Sequence, residues 1–337
     1  MATNNFQHFG IIGAGAWGTA LAVTLRRAGR DVTIWSHNPE GAADINNRHE
    51  NKRYLPGLPL DPAIKATADL AVTGAADVVL FATPAQQVRS IAKSLIATKT
   101  VRPVTPVLIT AKGIELGTSK LMSEILAEEM PQHGIAILSG PSFATEVTRG
   151  QPTALTLSIK DQALGEKLAQ VMATPAFRPY LTDDIIGAQL GGAIKNVLAI
   201  ACGIVTGREL GENARAALIT RGLAEMLRLG LILGARTETL MGLSGLGDLL
   251  LTCSSPQSRN MSLGIELGQG KTLHHILQSR TSVAEGVPTA EAALNLANSR
   301  KTEMPIIAAV AAVLSGAASI DQAITDLLSR PLKAEVH

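Results

Sequence analysis

His8-Phe-Gly-Ile-Ile-Gly-Ala-Gly-Ala-Trp-Gly18 is the stretch that decides the fold. A short apolar strand runs into a glycine turn, and the turn into the start of a helix. Gly13, Gly15 and Gly18 fall in the G-x-G-x-x-G spacing. Gly13 allows the tight turn, Gly15 lets a pyrophosphate approach bare backbone, and Gly18 lets the helix pack close to the strand. The helix N-terminus then offers unpaired N–H groups and a partial positive charge to phosphates. Glycine turns are common, so the context carries the reading. A helix from Thr19 to Ala28 follows, ended by Gly29, and a second strand, Asp31-Val-Thr-Ile-Trp-Ser36, comes next. An ordinary βα turn would explain the glycines alone. The strand–turn–helix–strand unit favours a dinucleotide site.

Outward from this unit, the first half of the chain alternates strand and helix signals. Asn38-Pro39-Glu40 reads as a helix start, with Asn as N-cap and Pro at the first helical position. Asp77-Val-Val-Leu-Phe-Ala82 is a continuous apolar run, the pattern of a strand buried on both faces. Thr83-Pro84-Ala85-Gln86 follows with the capping-box spacing, and Val88, Ile91 and Leu95 mark a helical face. Further strands are expected at 106–110, 134–138, 153–159 and, most briefly, 177–181. A helix passes through Leu121, Ile125 and Met130. Strands alternating with helices imply a mostly parallel, doubly wound sheet of the Rossmann type.

From Asp183 the pattern changes. Residues 185–205, 213–233, 288–298, 305–314 and 320–328 read as helices, and no strand signal remains. The expectation is an α/β chain in two parts: a dinucleotide-binding domain over residues 1–182, then an all-helical substrate and catalytic domain over 183–337. The last residues, from Pro331, are expected to fray.

The composition narrows the classes. At 337 residues, about two domains are expected. Apolar residues make up 46% and aromatics 3%, so the cores are aliphatic and alanine-rich. A net charge of +2 gives no case for nucleic acid or an anionic membrane surface. Two cysteines, Cys202 and Cys253, suit a reducing compartment and offer neither a disulfide framework nor a metal site. The N-terminal residues lack the basic start and apolar core of a signal peptide, so a cytoplasmic location is expected. The most apolar stretch, 185–205, carries Gln189, Lys195 and Asn196, which marks a buried helix and no membrane span. The alanine-rich helical part could bury a homodimer interface.

In an open parallel sheet, ligands bind beyond the carboxyl ends of the strands. That rule selects Gly13–Gly18, then Ser36, His37 and Asn38, then Thr83-Pro84, Lys112, and Ser139–Ser142. The end of the second strand carries no acid to hold a ribose 2′-hydroxyl. Its hydroxyl, imidazole and amide can all donate to a 2′-phosphate, so NADPH is the expected cofactor, with NADH accepted. Capping of the strand end and helix start would also explain Ser36, His37 and Asn38. Lys112 is the charged residue at the mouth of an apolar strand, which favours ligand contact over the usual solvated lysine.

Lys195 lies in Gly191-Gly-Ala-Ile-Lys-Asn-Val-Leu-Ala-Ile200, on a helix otherwise almost wholly apolar. A buried ammonium must be paired or lose its proton more easily, and a desolvated lysine exchanges protons near neutral pH. A snorkelling lysine is the alternative. Gly242-Leu-Ser-Gly-Leu-Gly-Asp248 ends in an acid that needs a partner if buried, and Lys195 is a candidate. Ser254-Ser-Pro-Gln-Ser-Arg-Asn260 precedes a helical segment and could cradle a phosphate. Cys253 has no neighbouring base in sequence and reads as a bystander.

Six motifs in order carry a resemblance. They are Gly13-Ala-Gly-Ala-Trp-Gly-Thr-Ala20, Ala111-Lys-Gly113, Ser139-Gly-Pro-Ser142, Gly191-Gly-Ala-Ile-Lys-Asn196, Gly245-Leu-Gly-Asp248 and Ser258-Arg-Asn260. The set, which spans nearly the whole chain, resembles the bacterial NAD(P)-dependent glycerol-3-phosphate dehydrogenases, which reduce dihydroxyacetone phosphate. The resemblance implies that Lys195 donates and accepts the proton, with Asp248 orienting it. It implies substrate contacts at Lys112, Gly140, Ser142, Lys195, Asp248, Ser258, Arg259 and Asn260, and Thr252 looks like a further site-lining hydroxyl. It implies cofactor contacts at Ala16, Trp17, His37, Lys112, Ala144, Arg259, Val283 and Glu285, beside the glycines Gly13, Gly15 and Gly18. It also implies a phosphorylated triose as substrate and a role in supplying glycerol phosphate for phospholipid synthesis.

Two other readings remain at this stage. A related dehydrogenase of a 3-hydroxy acid or sugar acid would share the two-part plan, but Ser258-Arg-Asn260 and Gly245-Leu-Gly-Asp248 favour a phosphorylated triose. A non-catalytic NADP(H) sensor would need no lysine–acid pair. The cofactor argument is checked by His37→Ala: NADPH affinity should fall while NADH affinity holds, and equal loss of both would remove His37 as the discriminator.

Overall fold

The computed structural model describes residues 6–280 and 283–331. The fraying expected at the C-terminus falls, beyond Pro331, outside the described residues.

Eight strands form one sheet in the order β3-β2-β1-β4-β5-β6-β7-β8. They are β1 (His8–Ile12), β2 (Asp31–Trp35), β3 (Lys65–Thr67), β4 (Val78–Phe81), β5 (Val107–Ile109), β6 (Ile135–Ser139), β7 (Thr153–Ile159) and β8 (Phe177–Thr182). All neighbours are parallel except β6 and β7. The expected strands are all present. β3 has no apolar run to announce it: one buried alanine between a lysine and a threonine is a strand only because β2 offers it a ladder.

Helices cover both faces of the sheet. In order they are α1 (Ala16–Arg27), α2 (Pro39–Arg48), α3 (Leu70–Gly74), α4 (Val88–Ala97), α5 (Met122–Glu129), α6 (Ala144–Thr148) and α7 (Gln162–Met172). Local chemistry sets their ends. Asn38 caps α2 by accepting from the Glu40 N–H at 2.9 Å, with Pro39 at the first position, as expected. Arg27 closes α1 with a cation at its C-terminus and donates to the Val147 and Thr148 carbonyls, tying α1 to α6. The capping box expected at Thr83 does not form. The Thr83 hydroxyl is buried without a partner among the described residues, and a short 3₁₀ turn, Ala85–Gln87, leads into α4 instead. Gln86 is used elsewhere: its amide bonds the backbone of residues 114 and 116.

After Thr182 no strand occurs among the described residues. The helices are α8 (Ile185–Gly207), α9 (Glu212–Leu233), α10 (Thr237–Leu240), α11 (Asp248–Ser254), α12 (Arg259–Gly268), α13 (Leu273–Gln278), α14 (Gly286–Ser299), α15 (Pro305–Ser315) and α16 (Ile320–Leu328). The α8 helix is the axis about which the others pack. It is long and apolar enough to cross a membrane, yet 89% of its most apolar window is buried inside the protein, so its hydropathy is that of a core helix. Glycines let α12 lie directly on it: a Cβ on Gly203 would collide with the Met261 carbonyl, and one on Gly264 with the Ile200 carbonyl. The first turns of α8 pack on the sheet, where Gln189 exchanges hydrogen bonds with Ser123. One rigid helix therefore begins against the sheet and carries Lys195 into the helical part.

Glu225 shows how the helical part is closed. It is 2% exposed on α9, and its carboxylate accepts from the N–H groups of Ile306 (2.8 Å) and Ile307 (3.3 Å) in the first turn of α15. Burial raises its pKa from 4.5 to about 7, against those N–H groups and the charges of Arg228 and Arg330. Because the folded pKa lies above the unfolded one, the proton's contribution to stability is present at low pH. It is lost as pH rises from about 4.5 to about 7. Glu225→Gln keeps an acceptor and removes the charge. From pH 5 to pH 8 the wild type should lose stability relative to this variant by on the order of 1–3 kcal/mol in denaturant melts. Parallel pH curves would refute the assignment.

Candidate active site

The strand ends converge as the sheet topology requires. β1 ends in the glycine turn, where Gly13 takes φ +120° and a Cβ on Gly18 would strike the Gly13 carbonyl. Above Gly15 nothing lies within 4 Å of where a Cβ would sit. Gly15 caps α1 without a side-chain bond, and the first turn of α1 holds no acid. The indole N–H of Trp17 is buried without a partner among the described residues. Bare backbone, free N–H groups and an unpaired donor fit a dinucleotide diphosphate. Ala14, Trp17, Ala82 and Ala144 pack on the same side of the sheet. Asn51 braces the turn by donating to the Ala14 carbonyl (2.9 Å) and the Thr19 hydroxyl (2.8 Å). No sequence pattern pointed to Asn51, because its partners are a backbone atom and a distant threonine.

At the end of β2 the side chains separate. The Ser36 hydroxyl donates to the Asn38 carbonyl and accepts from its N–H, and Asn38 caps α2. Local capping thus claims both. His37 is exposed and has no hydrogen bond among the described residues.

The second half of the site is a cluster of opposite charges. Asp248 is 1% exposed. Its Oδ1 accepts from Lys195 Nζ at 2.5 Å and its Oδ2 from Lys112 Nζ at 2.7 Å. Lys195, 7% exposed, also donates to the Thr252 hydroxyl at 2.9 Å. Lys112 also donates to the Gly140 carbonyl at 3.1 Å, which the Ser142 hydroxyl shares at 3.0 Å. The lysine–acid partnership expected from sequence is present, and Lys112 joins it. The reading of Lys195 as a snorkelling lysine does not hold. Burial pulls the Lys195 pKa from 10.5 down to about 8; Asp248 opposes that shift, and Lys112 adds to it.

Local geometry explains how Asp248 reaches this place. The Gly242–Asp248 stretch holds a π-helical turn at Leu243–Gly247 that passes straight into α11. Such wide turns often accompany functional sites. Here it sets Asp248 at the first position of α11, with Thr252 one turn further along. Cys253 lies beyond them, fully buried. Its hydrogen bond with Cys202 and its burial raise its pKa well above the ordinary thiol value, so it stays an inert thiol.

Ser258-Arg-Asn260 forms the start of α12. Ser258 is its N-cap, accepting from the Met261 N–H at 3.2 Å. Asn260 donates to Asn196 Oδ1 at 2.9 Å and accepts from the Gly286 N–H at 2.9 Å. Asn196 in turn donates to the Lys112 carbonyl at 3.3 Å. Asn196, the amide that ends the Gly191–Asn196 motif on an apolar helix, thus links α12 to the loop of Lys112. The Arg259 side chain is solvent-exposed and bonds no group among the described residues. Partial desolvation lowers its pKa, and the negative charge of Glu285 opposes this. Glu285 accepts from the Ala85 N–H at 3.0 Å through Oε1, while its Oε2 is buried without a partner among the described residues. Burial raises its pKa. Val283 is exposed beside it. Among the described residues no group of three or more histidine, cysteine or acidic side chains could hold a metal.

Known proteins are similar to this chain over nearly its whole length. Residues 8–165 match the family model for the NAD-dependent glycerol-3-phosphate dehydrogenase N-terminus, and residues 184–325 that for its C-terminus. A glycerol-3-phosphate dehydrogenase (NAD(P)+) of Parvibaculum lavamentivorans is 53% identical over 330 residues, 98% of each chain. One of Hyphomonas neptunium is 55% identical over 333 residues, 99% of this chain and 98% of its own. The crystal structure of glycerol-3-phosphate dehydrogenase from Coxiella burnetii superposes with a TM-score of 0.92 at 38% identity, covering 96% of this chain and 99% of that one.

Proposed function

The chain belongs to the NAD-dependent glycerol-3-phosphate dehydrogenase family, and from that premise we propose how its residues divide the work. It is an NAD(P)-dependent oxidoreductase that interconverts dihydroxyacetone phosphate and sn-glycerol 3-phosphate. The observation that carries the residue assignment is the buried Lys195 ammonium, held between Asp248 and Thr252 at the meeting point of the sheet and the helices.

When bound, the reduced nicotinamide supplies hydride for the carbonyl carbon. Lys195 then stabilises the charge that develops on the carbonyl oxygen and gives it a proton; in the reverse direction neutral Lys195 takes the hydroxyl proton. Asp248 fixes the position of Nζ and keeps the ammonium form accessible. Thr252 takes up a second of its three donors. A group with a pKa of about 8 is mostly ammonium at pH 7, so reduction fades as pH rises through about 8 and oxidation gains over the same range.

Arg259 grips the substrate phosphate with its planar fork, aided by Ser258 and Asn260 at the start of α12. Binding at that remote group positions the reacting carbon. Lys112, Gly140 and Ser142 line the substrate from the sheet side. Gly13, Gly15, Ala16, Trp17 and Gly18 hold the cofactor diphosphate, with Ala144, Val283 and Glu285 along its path and His37 at the ribose. The free imidazole of His37 and the lack of an acid beside it support NADPH as the preferred partner, with NADH accepted. Residues 1–182 serve as the dinucleotide-binding part and 183–337 as the substrate and catalytic part.

The product carries a phosphorylated glycerol backbone, which supports a role in supplying phospholipid synthesis. Two free buried cysteines favour a reducing, cytoplasmic setting. The exposed Leu231 and Ile232 on α9 favour a homodimer, which light scattering at twice the chain mass would support.

Lys195→Ala should reduce turnover of dihydroxyacetone phosphate by at least about 10³-fold while NADPH still binds, as read by nicotinamide fluorescence. Near-normal turnover in a folded variant would remove Lys195 as the acid.

A further inference from the structure

Lys112 reaches Asp248 from a loop that has no regular structure until α5 begins at Met122. That loop turns through Gly117 and Ser119, both with positive φ, and an isolated bridge between Ile114 and Leu121 closes it. A side chain on a free loop would be a poor ligand for a buried carboxylate. Two side chains from the opposite segment remove that freedom. The Gln86 amide donates to the Ile114 carbonyl at 2.8 Å and accepts from the Leu116 N–H at 2.9 Å, as a neighbouring strand would. One turn later the Arg89 guanidinium forks onto both oxygens of Glu115 at 2.8 and 2.9 Å and reaches Glu128 and Glu129 on α5. Hydrogen bonding from Arg89, with that from Thr118 and against burial, holds the Glu115 carboxyl below its ordinary range. Every residue from Ile114 to Leu116 is thus bonded to 86 or 89, immediately after Lys112-Gly113.

We propose that Gln86 and Arg89 are positioning residues that hold the 112–121 loop, so that Lys112 stays on Asp248 beside Lys195. Neither touches the reacting groups. The clamp fixes the Lys112 backbone, whose carbonyl is also tied to Asn196. It thereby fixes how Asp248 divides its two oxygens between two ammoniums. The titratable groups around Lys195 are Asp248 and Cys253 from α11 and Lys112 from this loop. Releasing Lys112 removes a cation from near Lys195 and frees Asp248, and both changes favour the protonated lysine. The inference rests on the proposed roles of Lys112 and Lys195.

Gln86→Leu and Arg89→Met test it, since both positions are only partly buried and should fold. In each, dihydroxyacetone phosphate reduction is followed with NADPH across pH, beside wild type and Lys112→Met. The clamp variants should raise KM for the triose about tenfold, with a smaller change in kcat. The alkaline limb of the rate should move to higher pH by about half a unit. Arg89→Lys, which keeps the charge without the fork, should fall between wild type and Arg89→Met. If Lys112→Met moves KM and the limb but both clamp variants leave them at wild-type values, the positioning role is refuted. If Lys112→Met itself moves neither, the reading of Lys112 has failed instead. A loss of melting temperature with unchanged KM and limb would reduce the clamp to a structural brace and overturn the proposal.

Discussion

The structure depends on one carboxylate with almost no water around it. Asp248 shares its two oxygens between Lys195 and Lys112, and each lysine comes from a different part of the chain. Burying Asp248 and Lys195, with Lys112 partly buried beside them, is costly, and removing one partner of a buried pair costs roughly 3–5 kcal/mol because a charge is left uncompensated. The gain is functional. Taken alone, burial would drive the Lys195 proton off; taken alone, Asp248 would lock it on. The two effects together leave an amine that is protonated at neutral pH and can release its proton close to it. Lys112 adjusts the same balance through its own charge.

Because this cluster spans the sheet and the helices, the fold around it is arranged to keep both in register. The α8 helix starts against the sheet, passes Lys195 into the cleft, and is met along its length by α12 through glycine contacts that admit no side chain. On the other side, Glu285 reaches from the start of α14 to the Ala85 backbone beyond β4. Ala85 is next to Gln86, so a few residues after β4 face both the helical part and the loop of Lys112. The site also keeps hydroxyls and a carboxylate oxygen that find no partner among the described residues, at Thr83, Ser139, Ser244, Thr289 and Glu285. Unpaired buried polar atoms are expensive unless something bonds them. Their number around this cleft fits a site whose polar lining is completed by water and ligand.

Much of this was legible in the sequence because it is written locally. The glycine turn after β1, the apolar run of β4 and the Asn38-Pro39 helix start each declare themselves within a few residues. Lys195 was legible for the opposite reason: an ammonium on an apolar helix violates the local pattern, and such violations mark function. What could not be read was tertiary. β3 exists because β2 has a free edge. Thr83 has the spacing of a cap, but the chain turns once more before α4 begins. Asn51, Asn196 and Gln86 act on backbone atoms far away in sequence, and Arg89 on carboxylates equally distant, so none leaves a periodic trace. The π-turn before Asp248 could not be read because glycines in sequence do not distinguish a connection from a wide helical turn.

The central claim is that Lys195 is the proton carrier, with its pKa drawn down by burial and checked by Asp248. The measurement that tests it most directly is kcat/KM as a function of pH in both directions with the same preparation. The account predicts mirror-image profiles: reduction of dihydroxyacetone phosphate falling, and oxidation of glycerol 3-phosphate rising, across a common midpoint near 8. Flat profiles through that range, or a midpoint at the ordinary lysine value of 10.5, would contradict it.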